Sequence, residues 1–276
     1  HKFDSTWPKP LPSVRDAQGR LRAQVSGGVG THCIDSRDHV FQFNRSYLNP
    51  AEFATESTTP APPVVEFDPE GNVVNAWGDP TLTSAGVSAV LPHNTHGCFV
   101  DYEDNIWVAS NSDGVVQKWS HDGKKMLLQI GTKGVCDGPP TLSPSSPFPT
   151  CGAPGHNASR TLLNQAADVA VDPNPDPVTG ERGSVYIADG YGNHRIVVFS
   201  RQGQYLRQWG SMGTEPGQFY PTGGGHPHCV VIGNDGLVYA CDRQGNRLQV
   251  FDRLGSLKRV IVVAPLGTTV SGGVRV

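Results

Sequence analysis

Charge is scarce in this chain. Only 17% of its 276 residues are Asp, Glu, Lys or Arg, and the net charge is -3 with a pI near 6.4. Binders of nucleic acid or anionic membrane surfaces carry a surplus of Lys and Arg, so neither partner is expected. A run of about 18 apolar residues is also missing, and with it any helical membrane span. None of the six cysteines forms a C-x-x-C pair, which argues against a structural zinc knuckle. A signal peptide is not recognisable, and the chain opens at His1-Lys2-Phe3-Asp4 without Met. A processed or partial product is therefore expected. Helix-breaking residues, by contrast, abound. With 33 Gly and 23 Pro, the composition suits many short strands joined by turns.

Four stretches share one plan: Phe67-Asp68-Pro69-Glu70-Gly71, Trp119-Ser120-His121-Asp122-Gly123, Phe199-Ser200-Arg201-Gln202-Gly203 and Phe251-Asp252-Arg253-Leu254-Gly255. An aromatic residue followed four positions later by Gly, then by a second apolar run, predicts a strand, a tight turn needing φ > 0 and a returning strand. Each such hairpin is preceded by two further strand patterns. In the third repeat these are Asp168-Val169-Ala170-Val171-Asp172 and Val185-Tyr186-Ile187-Ala188-Asp189. Four strands per repeat describe a propeller blade. The expected organisation is an extended lead-in over residues 1–24 and an all-β propeller over residues 25–276. Four full blades are visible. Val270-Ser271-Gly272-Gly273-Val274 echoes Val25-Ser26-Gly27-Gly28-Val29, so a fifth blade opens there, and a complete ring of about six blades is expected. The lead-in is expected to complete the last blade. Loops 46–63 and 132–159 are surface insertions.

Cys136 and Cys151 bracket a Pro/Ser-rich loop that a disulfide would staple, whereas Cys33, Cys98 and Cys229 lie in apolar strand contexts and read as buried thiols. His32, His39, His121, His156 and His194 read as solvated turn residues. Asp137, Asp168, Asp189 and Asp242 read as hydrogen-bonding groups at turns and strand ends. Asn44-Arg45-Ser46 and Asn157-Ala158-Ser159 are glycosylation sequons.

The run Asp189-Gly190-Tyr191-Gly192-Asn193-His194-Arg195-Ile196-Val197-Val198-Phe199 resembles the strand–turn–strand motif of NHL repeats, and the blades look like an NHL-type β-propeller. Within that family, residues 25–263 are most similar to peptidyl-α-hydroxyglycine α-amidating lyase. The resemblance implies a central zinc held by three histidines from alternate blades, with a Tyr and an Arg facing the metal. It also implies cleavage of peptidyl-α-hydroxyglycine into a peptide amide and glyoxylate. Aligning Asp35, Asp101, Asp172 and Gly233 at the strand ends places Gly30, His96, Ala167 and His228 five residues earlier. His96 and His228 are thus the expected ligands, with His93 and His226 as competitors and the third histidine beyond Val276. Three neutral imidazoles with an open position suit a catalytic zinc. Arg45 falls where the lyases carry the Arg for the substrate carboxylate, and Tyr191 where they carry the metal-facing Tyr.

The expected setting is extracellular or periplasmic, and the expected partner a small carboxylate or peptide substrate. One alternative is a non-catalytic extracellular propeller binding a protein, peptide or carbohydrate. Another is a propeller hydrolase of the lactonase type with a central calcium. Calcium prefers oxygen ligands, so the alternating histidines favour zinc at the centre and leave calcium a structural role.

Overall fold

In the computed structural model, which describes residues 4–45, 50–78, 91–92, 94–141, 150–152, 154–224 and 226–265, the aromatic–glycine spacing has a single local cause. In all four hairpins the glycine N–H donates to the carbonyl three residues earlier, at 2.9–3.0 Å: Gly71 to Asp68, Gly123 to Ser120, Gly203 to Ser200 and Gly255 to Asp252. Each of these glycines has φ between +71° and +91°. The ladder slips by one residue at the aromatic position each time. This is a tight turn closed by a glycine bulge, a loop that requires one left-handed residue.

The chain begins with a hairpin of β1 (Ser13–Arg15) and β2 (Leu21–Val25). Sheet one follows as β3 (Val29–Ile34) and β4 (Val40–Asn44). An excursion then carries α1 (Pro50–Phe53) and β5 (Thr58–Pro60), before β6 (Val64–Phe67) and β7 (Val73–Trp77) complete the sheet. The lead-in is thus more than extended chain: β2 pairs in parallel with β5, beside sheet one. Sheet two is β8 (Thr95–Val100), β9 (Ile106–Ser110), β10 (Val116–Trp119) and β11 (Met126–Ile130). A two-stranded ribbon, β12 (Pro140–Thr141) with β13 (Thr150–Cys151), precedes sheet three. Sheet three is β14 (Ala166–Pro175), β15 (Arg182–Asp189), β16 (Arg195–Phe199) and β17 (Tyr205–Trp209). Sheet four is β18 (Cys229–Ile232), β19 (Val238–Asp242), β20 (Arg247–Phe251) and β21 (Leu257–Val262).

Each of the four sheets is an antiparallel meander with its strands in chain order. Their first strands lie side by side in the sequence β3, β8, β14, β18. That is the packing of propeller blades around a central channel. Three cores fill the seams between neighbouring sheets. Phe41, Phe43, Val64, Ile106, Val108 and Trp119 pack between sheets one and two. Alternation then splits the middle strands of sheet three between two seams. Val185, Ile187, Val197 and Phe199 face sheet two, while Tyr186, Ala188, Ile196 and Val198 face sheet four. A strand buried on both faces reads as a continuous apolar run, which β15 and β16 do.

The turn glycines also join the sheets. A Cβ on Gly123 would lie 2.2 Å from the Trp77 ring of the preceding sheet, and one on Gly255 2.6 Å from the Trp209 ring. At Gly203 the neighbour is Leu128, at a looser 3.3 Å. Each outer strand therefore seats a side chain in the next sheet's glycine notch. Trp77 packs at a tilt against Trp119, and Trp209 against Phe251, with centroids 5.1 and 5.7 Å apart. In sheet one the notch over Gly71 is filled by Trp7 from the lead-in, 5.9 Å from Phe67, and Lys9 N–H donates to the Gly71 carbonyl.

All six cysteines are paired, Cys33–Cys98, Cys136–Cys151 and Cys229–Cys241. The staple across the 136–151 loop is present, whereas the buried-thiol reading of Cys33, Cys98 and Cys229 is corrected. Cys33 and Cys98 lie on β3 and β8, which are neighbours only across a seam. Cys229 and Cys241 are directly opposed on β18 and β19. Three disulfides fit an oxidising, non-cytoplasmic compartment. No helix among the described residues is long and apolar enough to cross a membrane.

Candidate active site

The inner strands carry an irregularity at the channel end where the histidines were expected. Pairing slips between Val29 and Thr31 in β3, between Thr95 and Cys98 in β8, and between Ala166 and Asp168 in β14. The slipped positions are Gly30, His96-Gly97 and Ala167, which match the register read from the sequence. A bulge re-aims the side chain it carries, and here it releases His96 from the sheet face. In sheet four, His228 stands just before β18, its N–H donating to the Cys241 carbonyl at 2.8 Å. Two close approaches bring these segments together. A Cβ on Gly97 would lie 2.3 Å from Asp168 Oδ1, and one on Gly190 1.9 Å from the Pro227 carbonyl oxygen.

The result is a compact group. Tyr191, in the turn after β15, places its hydroxyl 3.0 Å from His96 Nε2 and 3.1 Å from His228 Nε2. The two imidazoles meet edge to face, with centroids 5.0 Å apart. His96 Nδ1 lies 2.7 Å from the Ala167 carbonyl, so Nδ1 carries the proton and the Nε2 lone pair faces the phenol. Both Nε2 atoms therefore aim at one point, a donor arrangement that suits a borderline divalent metal. Among the described residues, no third His, Cys, Asp or Glu completes a set with this pair. A cavity of about 160 Å³ adjoins it, lined by Thr31, His32, Gly97 and Asp168 among others.

Arg45 reaches the same end of the channel. Its Nε and Nη2 donate to the carbonyl of Thr95, next to His96, at 3.1 and 2.6 Å. Gly30 makes room, since a Cβ there would lie 2.8 Å from Arg45 Nε. His226 is turned aside. It is 1% exposed, with Nε2 near the Thr222 carbonyl and Gln244 Oε1 and Nδ1 3.4 Å from Asp242. His93 lies outside the described residues.

Sequence reasoning passed over Arg243. Its Nη1 donates to the Tyr191 hydroxyl at 3.2 Å, its Nη2 donates to the Gly224 carbonyl, and the guanidinium lies 5.3 Å from the Tyr191 ring centre. The signal existed: Arg45 directly follows β4 and Arg243 directly follows β19, the second strands of sheets one and four. Other readings change as well. His194 is 9% exposed, and burial, with His226 nearby, pushes its pKa down. His39 and His121 pair with Glu66 and Asp35 rather than with solvent. Both sequon asparagines are engaged: Asn44 is buried with its amide on the Pro62 carbonyl, and the Asn157 amide donates to the His194 and Gly210 carbonyls.

The NHL repeat model matches residues 225–251, which run from the segment before β18 through β20 of sheet four. The fold is an NHL-type β-propeller. Over 260 residues the chain is 30% identical to peptidyl-glycine alpha-amidating monooxygenase B of Xenopus laevis, covering 90% of this chain and 24% of that protein. It is 29% identical over 164 residues to peptidyl-alpha-hydroxyglycine alpha-amidating lyase 1 of Drosophila melanogaster, covering 56% and 25%. NHL repeat-containing protein 3 of Homo sapiens is 25% identical over 198 residues, covering 70% and 46%. The chain thus spans about a quarter of the length of the two amidating relatives. It resembles the amidating-lyase type of NHL propeller.

Proposed function

We propose that this propeller is a zinc-dependent lyase of the extracellular or periplasmic space. It would cleave the C–N bond of an α-hydroxyglycine-type adduct to release an amide and glyoxylate. The observation that carries this reading is the convergence of His96 Nε2, His228 Nε2 and the Arg243 guanidinium on the Tyr191 hydroxyl. His96 and His228 would hold the zinc, which when bound supplies a Lewis acid to polarise the substrate's oxygen.

The remaining chemistry belongs to this chain's own groups. Arg243 donates to the Tyr191 hydroxyl and sets its guanidinium beside the oxygen that acts as the base. The Tyr191 oxygen takes the proton from the substrate's α-hydroxyl, the substrate oxygen's electron pair forms the aldehyde C=O, and the C–N bond breaks. The departing amide nitrogen takes that proton back from Tyr191, so the reaction needs no added water or oxidant. Arg45, anchored on the Thr95 carbonyl, offers its remaining N–H groups to the substrate carboxylate.

The test is glyoxylate release from a peptidyl-α-hydroxyglycine, alongside elemental analysis. We expect zinc content to fall by about one per chain in His96→Ala/His228→Ala, and Tyr191→Phe to lower kcat by about 10²-fold or more with zinc content unchanged. Turnover unchanged in both variants overturns the reading. A second reading, a partner-binding propeller, is favoured by the insertion that the Cys136–Cys151 disulfide closes into a loop. Absence of turnover together with capture of a partner lost on deleting that loop would establish it instead.

A further inference from the structure

The seam between sheets one and two holds a cluster that the channel does not use. Asp35, Glu66 and His121 each offer one ligand atom, and the three atoms lie within 4.8 Å of one another. The two carboxylate side chains are 0% and 5% exposed. Among them sits the guanidinium of Arg37, with Nη2 3.0 Å from Asp35 Oδ2, 3.8 Å from Glu66 Oε1 and 2.9 Å from His121 Nε2. Behind Glu66, His39 Nδ1 lies 2.7 Å from the same Oε1.

Two features set this cluster apart from an ordinary ion-pair latch. First, the three donors come from separate segments that the seam brings together: Asp35 after β3, Glu66 in β6 and His121 in the β10–β11 turn of the next sheet, with His121 Nε2 2.8 Å from Asp35 Oδ2. Arg37 Nη2 lies 2.9 and 3.4 Å from the two His121 ring nitrogens, beside the ring and not along the Nε2 lone pair. Second, two buried carboxylates face a single guanidinium, which is itself more than half exposed. A dication in place of the guanidinium would match the two carboxylates in charge. The corresponding turn residues of sheets three and four are Arg201 and Arg253, whose guanidinium groups have no lone pair to ligate with.

We propose that this seam is a binding site for a divalent cation of the zinc class, ligated by Asp35, Glu66 and His121, with Arg37 as the cation that vacates. The Arg37 side chain is 56% exposed, so it swings outward without repacking. His39 orients the Glu66 carboxylate from behind, as outer-shell partners of metal ligands do. A mixed carboxylate–imidazole set favours zinc over calcium, which takes a larger shell of oxygens.

The test uses the His96→Ala/His228→Ala protein, so that the channel pair cannot contribute and the outcome does not depend on the lyase reading. Zn²⁺ is titrated by calorimetry, and Co²⁺ is followed by visible absorption. We expect one zinc per chain at micromolar concentration, lost on adding Glu66→Gln or His121→Asn, both of which preserve shape. Arg37→Ala should tighten binding about tenfold by removing the competing cation. No zinc uptake by the double variant overturns the proposal. So does uptake indifferent to Glu66→Gln and His121→Asn, or uptake weakened by Arg37→Ala.

Discussion

Three seams join the four sheets, and the same turn position latches each of them with different chemistry. Between sheets three and four, Arg253 reaches back to Asp172 at 3.2 Å, and Arg207 donates to the Arg253 carbonyl at 2.7 Å. Between sheets two and three, Arg201 meets Glu103 at 3.2 Å, with both side chains nearly half exposed. Between sheets one and two the turn residue is His121, which bonds Asp35, and here alone a disulfide ties the inner strands. Arginine stays charged at any pH the protein meets, whereas histidine does not. The seam whose turn position carries histidine in place of arginine is the one with a covalent link. Sheets that look equivalent by strand count are held to their neighbours by unlike means.

The largest expected effect removes that link. Cys33→Ala/Cys98→Ala opens a loop of 65 residues, and chain entropy puts the loss near 4 kcal/mol. Cys229→Ala/Cys241→Ala opens one of 12 residues, worth about 3 kcal/mol on the same model. Denaturant midpoints should rank the first pair lower, and the reverse order would show that the seam does not depend on its covalent tie. Next come the glycine notches. Gly123→Ala drives a Cβ into Trp77 at a left-handed position and should cost about 3 kcal/mol, whereas Gly203→Ala meets only Leu128 at 3.3 Å and should cost about 1. Equal losses would mean that backbone strain alone governs these sites.

The smallest effect is a pH dependence. Burial by itself would raise the Asp35 carboxyl, but hydrogen bonds from His121, the His39 and Arg37 N–H groups and the Arg37 side chain outweigh it and hold the pKa at about 2. Because the folded value lies below the usual 3.8, this contribution is complete above pH about 4 and is lost as pH falls towards 2. Asp35→Asn should flatten the stability curve in that window while leaving the Arg253 seam unchanged. A curve of unaltered slope would place the acid sensitivity elsewhere.

What the sequence made legible was whatever a single strand or turn dictates. The aromatic–glycine interval could be read because the turn needs one left-handed residue at a fixed distance from its strand. His96 and His228 could be placed because strand register carries over from sheet to sheet. Contacts between sheets left no local trace. Cys33 and Cys98 are 65 residues apart and meet only because β3 and β8 are neighbours around the channel. His121 looks like any exposed turn residue until the preceding sheet brings Asp35 against it. Arg243 is the instructive miss, since it closes the second strand of sheet four just as Arg45, chosen through the family resemblance, closes that of sheet one.

Trp7 does for the first sheet what an outer strand does for the others. The notches over Gly123 and Gly255 take Trp77 and Trp209 from the sheet before, and the notch over Gly71 takes an indole from the lead-in. A bare glycine notch beside an aromatic residue would be an apolar opening in the rim, and here one side chain of the lead-in closes it.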